Sequence, residues 1–455
     1  MTSLTLSAAP LLVVLPLAAG ALTFLVRRWS WAEGAIAAVA CALVASLLAA
    51  PTAATVHLGV ITLSLDAPFV VLGRTLQIDA SNRLALAGLF SGAVFLFALS
   101  SALPRQGDFF YPLALGMLGT LAAGLVVRPL LFAALAIEVA AALGALLIQA
   151  NRLGARSTQG AARYLVSGTL AMPTFFLAFW LADRAPTLEG EAATLPVVLL
   201  VLGSGLLFGA IPLYSWLHAA AQESPPMVVA AIGAIALGFS QAWLLRLWSV
   251  LDWLRASALA QEVLLVGAQA IWVGVALIAW AQRSWSRVLA CVLFLEVANA
   301  LWSVATSGAT PLAATVFGIA ARSLMLSALG LGLSYLRPVR RADGTIGYAC
   351  SSLLLVLTSV MALAGLPGTV GFVERWLLVR AIESSVEPIG LMALAGVSLF
   401  AGALRNALPL LRCAENAEQA QHDAHIMRLA VAAALVLLIG LGLWPSLLSL
   451  GAAAP

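Results

Sequence analysis

Long apolar runs separated by short polar stretches dominate this sequence and constrain its fold more than any other feature. Several runs reach the roughly 20 residues that an α-helix needs to cross a bilayer. Only 9% of the residues are charged, against roughly 25% in soluble domains. The polar stretches are mostly too short to enclose a hydrophobic core of their own. We therefore predict a single all-α integral membrane domain over residues 1–455.

The apolar runs predict about fourteen transmembrane helices, each near the length that a bilayer requires. The predicted spans are 8–26, 33–51, 79–103, 109–127, 129–149, 161–182, 193–216, 225–249, 263–281, 286–306, 309–336, 349–382, 387–411 and 425–450. The stretch 52–78 alternates apolar and polar residues and carries charges. We expect an extracytoplasmic hairpin there rather than a span.

Arginine distribution predicts the orientation, because basic residues near helix ends are retained on the cytoplasmic side. With an even number of helices, most arginines fall on one face: Arg27, Arg28, Arg105, Arg152, Arg156, Arg283, Arg287, Arg337, Arg340, Arg341 and Arg412. We expect a multi-pass protein of the bacterial cytoplasmic (inner) membrane with both termini on the extracytoplasmic side. Because the basic residues mark topology and form no stripe, no nucleic-acid partner is expected.

Two of the predicted helices are broken. Near 212–226, prolines bracket the amphipathic segment SWLHAAAQE, and near 365–371 the segment AGLPGTVGF combines proline with glycines. The prolines at the two breaks are Pro212, Pro225, Pro226 and Pro367. Broken backbone at membrane depth is tolerated where other helices or water satisfy it, and it often lines cavities in transporters. A plain kink is the alternative interpretation.

Few ionisable residues fall inside the apolar runs, and each is a functional candidate because its burial in lipid is costly unless it is paired or hydrated. Glu138, Glu296 and Glu374 are candidates for a proton path. Arg322 and Arg375 are candidates for tuning or blocking such a path. The alternative is structural: Glu138 and Glu296 would pair with Arg322 or Arg375 and only tie helices together.

The polar residues of the first break are expected at the cytoplasmic interface, a level that tryptophan and histidine favour. Tyr214, His218 and Glu223 are therefore candidates for proton uptake. The four cysteines are scattered and predict neither a metal site nor a disulfide framework. The sequence has no phosphate-binding or dinucleotide-binding glycine motif, and no cofactor is predicted.

Four segments in collinear order resemble the antiporter-like subunits of respiratory complex I and their relatives. The relatives are the Mrp-type cation/proton antiporters, the group 4 hydrogenases and the membrane partner of two-component inorganic-carbon systems. The segments are GAIPLYSWLHAAAQESPPMVVAAI, LLRLW, AQRSWSRVLACVLFLEV and AGLPGTVGFVERW. The resemblance runs through almost the whole chain. It implies an inverted-repeat bundle with half-channels at 129–249 and 263–411, followed by a C-terminal transmembrane helix at 425–450.

The resemblance also implies a midmembrane chain of proton-carrying residues, which this sequence only partly reproduces. Glu138 is at the position of the family's fifth-helix glutamate. The lysine positions fall on Leu207, on Leu237 or Gly238, on Arg322 and on Arg375, and the chain contains no lysine. Arginine keeps its proton in proteins, so it can tune or block a path but cannot relay protons.

Together these features predict an antiporter-like membrane subunit of a multisubunit energy-converting complex that conducts or couples proton translocation. The route would run through Glu138, water, Glu296 and Glu374. Two alternatives stay open: a membrane subunit of a proton-driven inorganic-carbon uptake system, and a degenerate scaffold that does not pump. Expected partners are other membrane subunits, a soluble redox or carbonic-anhydrase-like protein, and protons, with Na+ as an alternative ion. Any redox catalysis, as in an NADH-quinone oxidoreductase, would then belong to the partners.

Overall fold

The computed structural model describes residues 4–50, 55–58, 61–103, 107–150, 158–184, 191–210, 212–307, 312–336, 339–340, 346–347, 350–380, 386–411 and 423–444. Parts of the predicted hairpin 52–78 and of the predicted last span 425–450 lie outside these residues. Several of the arginines that predict the orientation also lie outside them.

Helices make up most of the described chain. In chain order they are α1 (Leu11–Leu25), α2 (Ser30–Ala49), α3 (Ala80–Ser100), α4 (Phe110–Val126), α5 (Ala133–Ala150), α6 (Gln159–Arg184), α7 (Glu191–Phe208), α8 (Ser215–Glu223), α9 (Pro226–Ile232), α10 (Gly238–Val250), α11 (Asp252–Arg255), α12 (Ala258–Ile278), α13 (Trp285–Ala305), α14 (Leu312–Tyr335), α15 (Cys350–Leu363), α16 (Val370–Arg380), α17 (Val386–Leu411) and α18 (Asp423–Leu443). A π-helical turn at Gly233–Leu237 joins α9 to α10 into one continuous segment, Pro226–Val250.

Nine helical segments in the described part of the chain are long and apolar enough to cross a membrane, and five shorter apolar helices accompany them. The prediction of an all-α membrane protein is confirmed, whereas an exact count of fourteen spans stays a prediction. In a bilayer core, helices are favoured because every backbone polar group finds its partner within the segment.

The segments differ in how deeply they are buried. Within an 18-residue apolar stretch of each segment, every residue of α9–α10 and of α13 is buried inside the chain, as are 94% of the residues of α14 but only 33% of those of α6 and α12. The first three therefore form the centre of the bundle, and the other two lie at its periphery. Charged groups on the central helices are shielded from lipid and can meet one another.

Short strands flank the helices. The first sheet holds β1 (Leu4–Ser7), β2 (Thr55–Leu58) and β3 (Ile61–Ser64); the second holds β4 (Phe69–Val71), β5 (Arg74–Leu76) and β6 (Val127–Arg128); the third holds β7 (Val339–Arg340) and β8 (Ile346–Gly347). Within 52–78, the structure thus has two hairpins, β2–β3 and β4–β5, where the sequence predicts one. Pro68 separates them because it lacks the N–H that a continuous strand would need.

The first helix break begins earlier than the sequence predicts. The predicted span runs to residue 216, but α7 ends before Gly209, which has a φ of +64°. The Ala210 N–H donates to the Gly205 carbonyl at 3.0 Å, and the Gly209 N–H donates to the Leu206 carbonyl at 3.3 Å. This pair of bonds is a Schellman motif, in which glycine takes the left-handed conformation and satisfies the last carbonyls of the helix.

The second break, between α15 and α16, overlaps the predicted 365–371 and ends its first helix in the same way. Gly365 has a φ of +76°. The Leu366 N–H donates to the Met361 carbonyl at 3.0 Å, and the Gly365 N–H donates to the Ala362 carbonyl at 2.9 Å. The two broken helices therefore share one terminating motif.

The prolines take different places at these breaks. Pro226 is the first residue of α9, where its missing N–H costs no helical hydrogen bond. Pro225 precedes it in an extended conformation. Pro212 and Pro367 are exposed and lie between helices. All four predicted break prolines are thus outside helix interiors.

Candidate functional site

Four charged side chains meet between three helices near the centre of the bundle. Glu296 lies in α13, Arg322 in α14, and Glu374 and Arg375 in α16. Each is 5% exposed or less. With all four ionised, this charge cluster is neutral overall. That balance reduces the cost of burying the charges at membrane depth.

Glu296 is held directly by both arginines. The Arg322 Nε donates to Glu296 Oε2 at 2.8 Å, and the Arg375 Nη2 donates to Glu296 Oε1 at 2.7 Å. Asn299, one turn further along α13, donates from Nδ2 to Oε1 at 3.4 Å. Both carboxylate oxygens of Glu296 therefore take part in short, charge-assisted hydrogen bonds.

Glu374 is held more loosely by the same arginines. Its Oε1 lies 3.5 Å from Arg322 Nη2, and its Oε2 lies 3.9 Å from Arg375 Nη1. Within the described residues, Glu374 Oε2 and these two Nη atoms make no hydrogen bond. Gly318, one turn before Arg322, leaves room for the carboxylate, since a Cβ there would lie 3.1 Å from Glu374 Oε1.

Arg375 also links the cluster to the second helix break. Its Nη2 donates to the Leu363 carbonyl at 2.8 Å, and Leu363 is the last residue of α15. The guanidinium thus satisfies one of the carbonyls that the break leaves without a helical partner. Gly365 is needed here for a second reason, because a Cβ on it would overlap the Arg375 Cγ.

Polar residues extend the cluster toward neighbouring helices. The Arg322 Nη1 donates to the Gln241 Oε1 in α10 at 2.6 Å, and the Gln241 Nε2 donates to the Ser303 Oγ at 2.7 Å. On the other side, the Trp272 Nε1 of α12 donates to the Asn299 Oδ1 at 3.1 Å. The network therefore connects five helical elements through a buried chain of hydrogen bonds.

Sequence reasoning missed the members of this extension: Gln241, Trp272, Asn299 and Ser303. One signal was present, because Glu296, Asn299 and Ser303 follow the i, i+3, i+7 spacing of a single helix face. Gln241 stands out as an amide in an apolar segment, but its partner could not be named from its own helix.

Glu138 lies apart from the charge cluster. It is half-buried on α5, and its Oε1 accepts a hydrogen bond from the Thr169 Oγ1 of α6 at 2.9 Å. In the described part of the chain its Oε2 has no hydrogen-bond partner. The pairing with Arg322 or Arg375 that the structural alternative requires is thus present for Glu296, whereas Glu138 is bonded to Thr169 instead.

A small cavity lies between α5, α6, α7 and α10. It has a volume of about 20 Å³, which is room for about one water molecule. Ser167 and Ser240 line it, together with Tyr164 and with Leu207, the residue at a family lysine position. The π-helical turn lies just before Ser240, and such turns are frequent at functional sites. The first half thus contains a partly polar cavity where the family resemblance implies lysine.

Glu223, one of the predicted interfacial residues, connects two helices. Its Oε2 accepts a hydrogen bond from the backbone N–H of Gly160 at 2.7 Å, in the first turn of α6. A carboxylate is favourable there because the N-terminal N–H groups of a helix carry partial positive charge. Trp216 holds α8 to the same helix through an edge-on contact with Tyr164 at 4.9 Å between ring centroids.

The other two interfacial candidates are more accessible. Tyr214 is 43% exposed and packs edge-on against Phe294. His218 is half-buried, and its Nε2 lies 2.8 Å from Gln222 Nε2. Partial burial lowers the pKa of His218, and the positive charges of Arg287 and Arg163 lower it further. The neutral imidazole is therefore favoured, which suits a group that accepts protons from water.

Comparison with known proteins gives two sequence relatives that agree with these features. The chain is 27% identical over 350 residues to NADH-quinone oxidoreductase subunit N of Desulforudis audaxviator, an alignment that covers 68% of this chain and 66% of that protein. It is 29% identical over 417 residues to NADH-quinone oxidoreductase subunit N 1 of Streptomyces griseus, covering 83% of this chain and 85% of that protein. The chain thus spans just under two thirds of the first relative. No family model matches the sequence.

Solved structures share the fold over nearly the full length. A chain of the Mrp complex from Dietzia sp. DQ12-45-1b superposes with a TM-score of 0.73 at 17% identity, covering 97% of this chain and 95% of that one. A chain of the archaeal membrane-bound sulfane sulfur reductase gives 0.72 at 16% identity, with coverages of 97% and 96%.

A chain of respiratory complex I from Thermus thermophilus gives a TM-score of 0.72 at 21% identity and covers 97% of both chains. These likenesses establish the fold. In sequence and in fold, the chain is thus similar to antiporter-like membrane subunits of the complex I and Mrp type.

Proposed function

We propose that the chain is the antiporter-like subunit of a multisubunit energy-converting membrane complex and that it conducts or couples proton translocation. The buried charge cluster at the second helix break carries the proposal, because ionisable groups inside a membrane bundle mark ion pathways. The names of the sequence relatives and the complexes that contain the structural neighbours support it. We place the protein in the bacterial cytoplasmic membrane with both termini outside the cytoplasm.

In this proposal the carboxylates carry the proton and the arginines hold the charge balance. Glu138 serves the first half, the cavity beside Ser240 holds water, and Gln241, the next residue along α10, accepts a hydrogen bond from Arg322. Glu296 and Glu374 serve the second half. Arg322 and Arg375 keep their protons throughout, since a guanidinium does not release one in proteins.

A Glu138→Gln variant tests conduction through the first half. In vesicles that contain the assembled complex, we expect the variant to lose potential-driven proton uptake, because glutamine cannot bind and release a proton. Thr169→Ala is the matched control: it removes the hydrogen-bond donor of Glu138 and keeps its carboxylate, so uptake should persist. Unchanged uptake in Glu138→Gln would exclude this route.

A scaffold without conduction is the second candidate, and the same cluster gives it a specific basis. Its ion pairs join α13, α14 and α16 whether or not protons move. A scaffold predicts that wild-type complexes and protein-free vesicles take up protons equally. It also predicts that neutralising Glu296 or Glu374 impairs assembly and has no separate effect on proton uptake.

The partners decide which complex the chain serves. We propose other membrane subunits together with a soluble redox module, and affinity purification of the tagged chain from its native membranes followed by mass spectrometry tests this. Redox subunits in stoichiometric amounts are the expected result. A large soluble zinc protein of the carbonic-anhydrase class in their place would contradict it and favour inorganic-carbon uptake.

A further inference from the structure

The two carboxylates of the charge cluster differ in how tightly they are held. Protonating Glu296 would weaken two direct bonds, from Arg322 Nε at 2.8 Å and from Arg375 Nη2 at 2.7 Å. Protonating Glu374 would break none, because its nearest guanidinium contacts are 3.5 Å and 3.9 Å long. Glu374 is therefore the carboxylate that can change its charge at the lower cost.

The polar atoms around Glu374 show where a proton could bind. Glu374 Oε2, Arg322 Nη2 and Arg375 Nη1 are three buried polar atoms without a hydrogen-bond partner in the described structure. The charged groups that face Glu374 are Glu296 on α13, Arg322 on α14 and Arg375 on its own helix. A proton on Glu374 Oε2 replaces no hydrogen bond, whereas a proton on Glu296 would weaken the bonds from two guanidinium groups.

We propose that Glu374 is the carboxylate of the cluster that binds and releases the transported ion, and that this ion is a proton and not Na+. The inference rests on the proposed function and names its substrate. It also separates the roles of the two cluster glutamates. Glu296 fixes the two arginines in place, and Glu374 exchanges the ion.

The exclusion of Na+ follows from charge and from the supply of ligands. A sodium ion on Glu374 would lie beside Nη atoms of both arginines, which are only 3.5 Å and 3.9 Å from the carboxylate oxygens. Like charges at such distances repel strongly in a buried site. The other carboxylate, Glu296, has both oxygens engaged with the same arginines. A proton instead forms a covalent O–H bond with one oxygen and requires no shell of ligands.

Flux measurements on vesicles that contain the intact complex test this assignment. Glu374→Gln is compared with Glu262→Gln, a control that neutralises an exposed glutamate on α12. We expect Glu374→Gln to assemble and to show proton uptake at the level of protein-free vesicles, whereas Glu262→Gln should match the wild type. Radioactive sodium should not accumulate in wild-type vesicles, and replacing Na+ by choline should leave proton uptake unchanged.

The outcomes separate this inference from the proposed function. Proton uptake that survives Glu374→Gln, or sodium uptake by the wild type, would refute the assignment and leave conduction itself standing. A wild type that transports neither ion would refute the proposed function and the inference together.

An infrared measurement on the wild type removes the dependence on how well the variant folds. Acidification of the complex should produce a protonated-carboxyl band that is the same in Na+ and in choline buffers. The conservative Glu374→Asp variant should shift the frequency of that band. A band that Na+ suppresses by competition, or one that Glu374→Asp leaves in place, would overturn the assignment.

Discussion

Arg322 and Arg375 place two permanent positive charges at the centre of the bundle. Each guanidinium has several N–H donors that point in different directions. Arg322 uses Nε for Glu296 and Nη1 for Gln241, and it turns Nη2 toward Glu374. A lysine ammonium is a compact point charge and could not fix three partners in one plane. Arginine at these positions therefore orients its neighbours and keeps its proton, whereas a lysine could titrate.

Glu296→Gln is expected to destabilise the protein, because it leaves Arg322 and Arg375 buried without their main counter-charge. Removing one partner of a buried ion pair costs about 3–5 kcal/mol. Thermal unfolding of the purified complex in detergent should therefore begin at a clearly lower temperature, with Glu262→Gln unchanged. Unfolding at the wild-type temperature would show that Glu296 does not hold the cluster together.

Both broken helices end at a glycine in the left-handed conformation, and at the second break this glycine also faces Arg375. The second break and the charge cluster therefore depend on each other. The break leaves the Leu363 carbonyl without a helical partner, and Arg375 donates a hydrogen bond to it. At the first break, Glu223 and Trp216 hold α8 against α6. The breaks are thus ordered structures with specific partners.

Gly365→Ala should disturb the second break, because alanine is strained at a φ of +76° and its Cβ would overlap Arg375. A cost of about 1–3 kcal/mol is expected from the backbone strain. Gly440→Ala is the matched control, since no atom lies within 4 Å of the Cβ it would add to α18. Hydrogen exchange at 361–366 should rise in the first variant only. Equal exchange in both variants would contradict the account.

The helices and breaks could be predicted from sequence because their signals are local. Apolar length, proline and glycine all act within one segment. The predicted end of the seventh span, at 216, is too late, because Gly209 takes a left-handed φ and ends α7 before Pro212 is reached. The hydrogen bond from Arg322 to Gln241 could not be predicted, because it depends on how α10 packs against α14. The sequence of either helix alone does not specify that packing.

Across the whole molecule, charged side chains are distributed unequally between the two proposed half-channels. The first contains Glu138 and a cavity with room for about one water, and leucine or glycine stands where the family resemblance implies lysine. The second contains all four members of the charge cluster on central, buried helices. The resemblance predicts the membrane bundle, whereas the meeting of all four charged side chains depends on how α13, α14 and α16 pack together.

We propose that this lysine-free bundle still conducts protons, with Glu374 as the exchanging group. Potential-driven proton uptake into vesicles that contain the intact complex tests it most directly. We predict uptake above that of protein-free vesicles for the wild type and none above that level for Glu374→Gln at equal assembly. Wild-type uptake equal to that of protein-free vesicles would contradict conduction, and variant uptake equal to that of the wild type would contradict the role of Glu374.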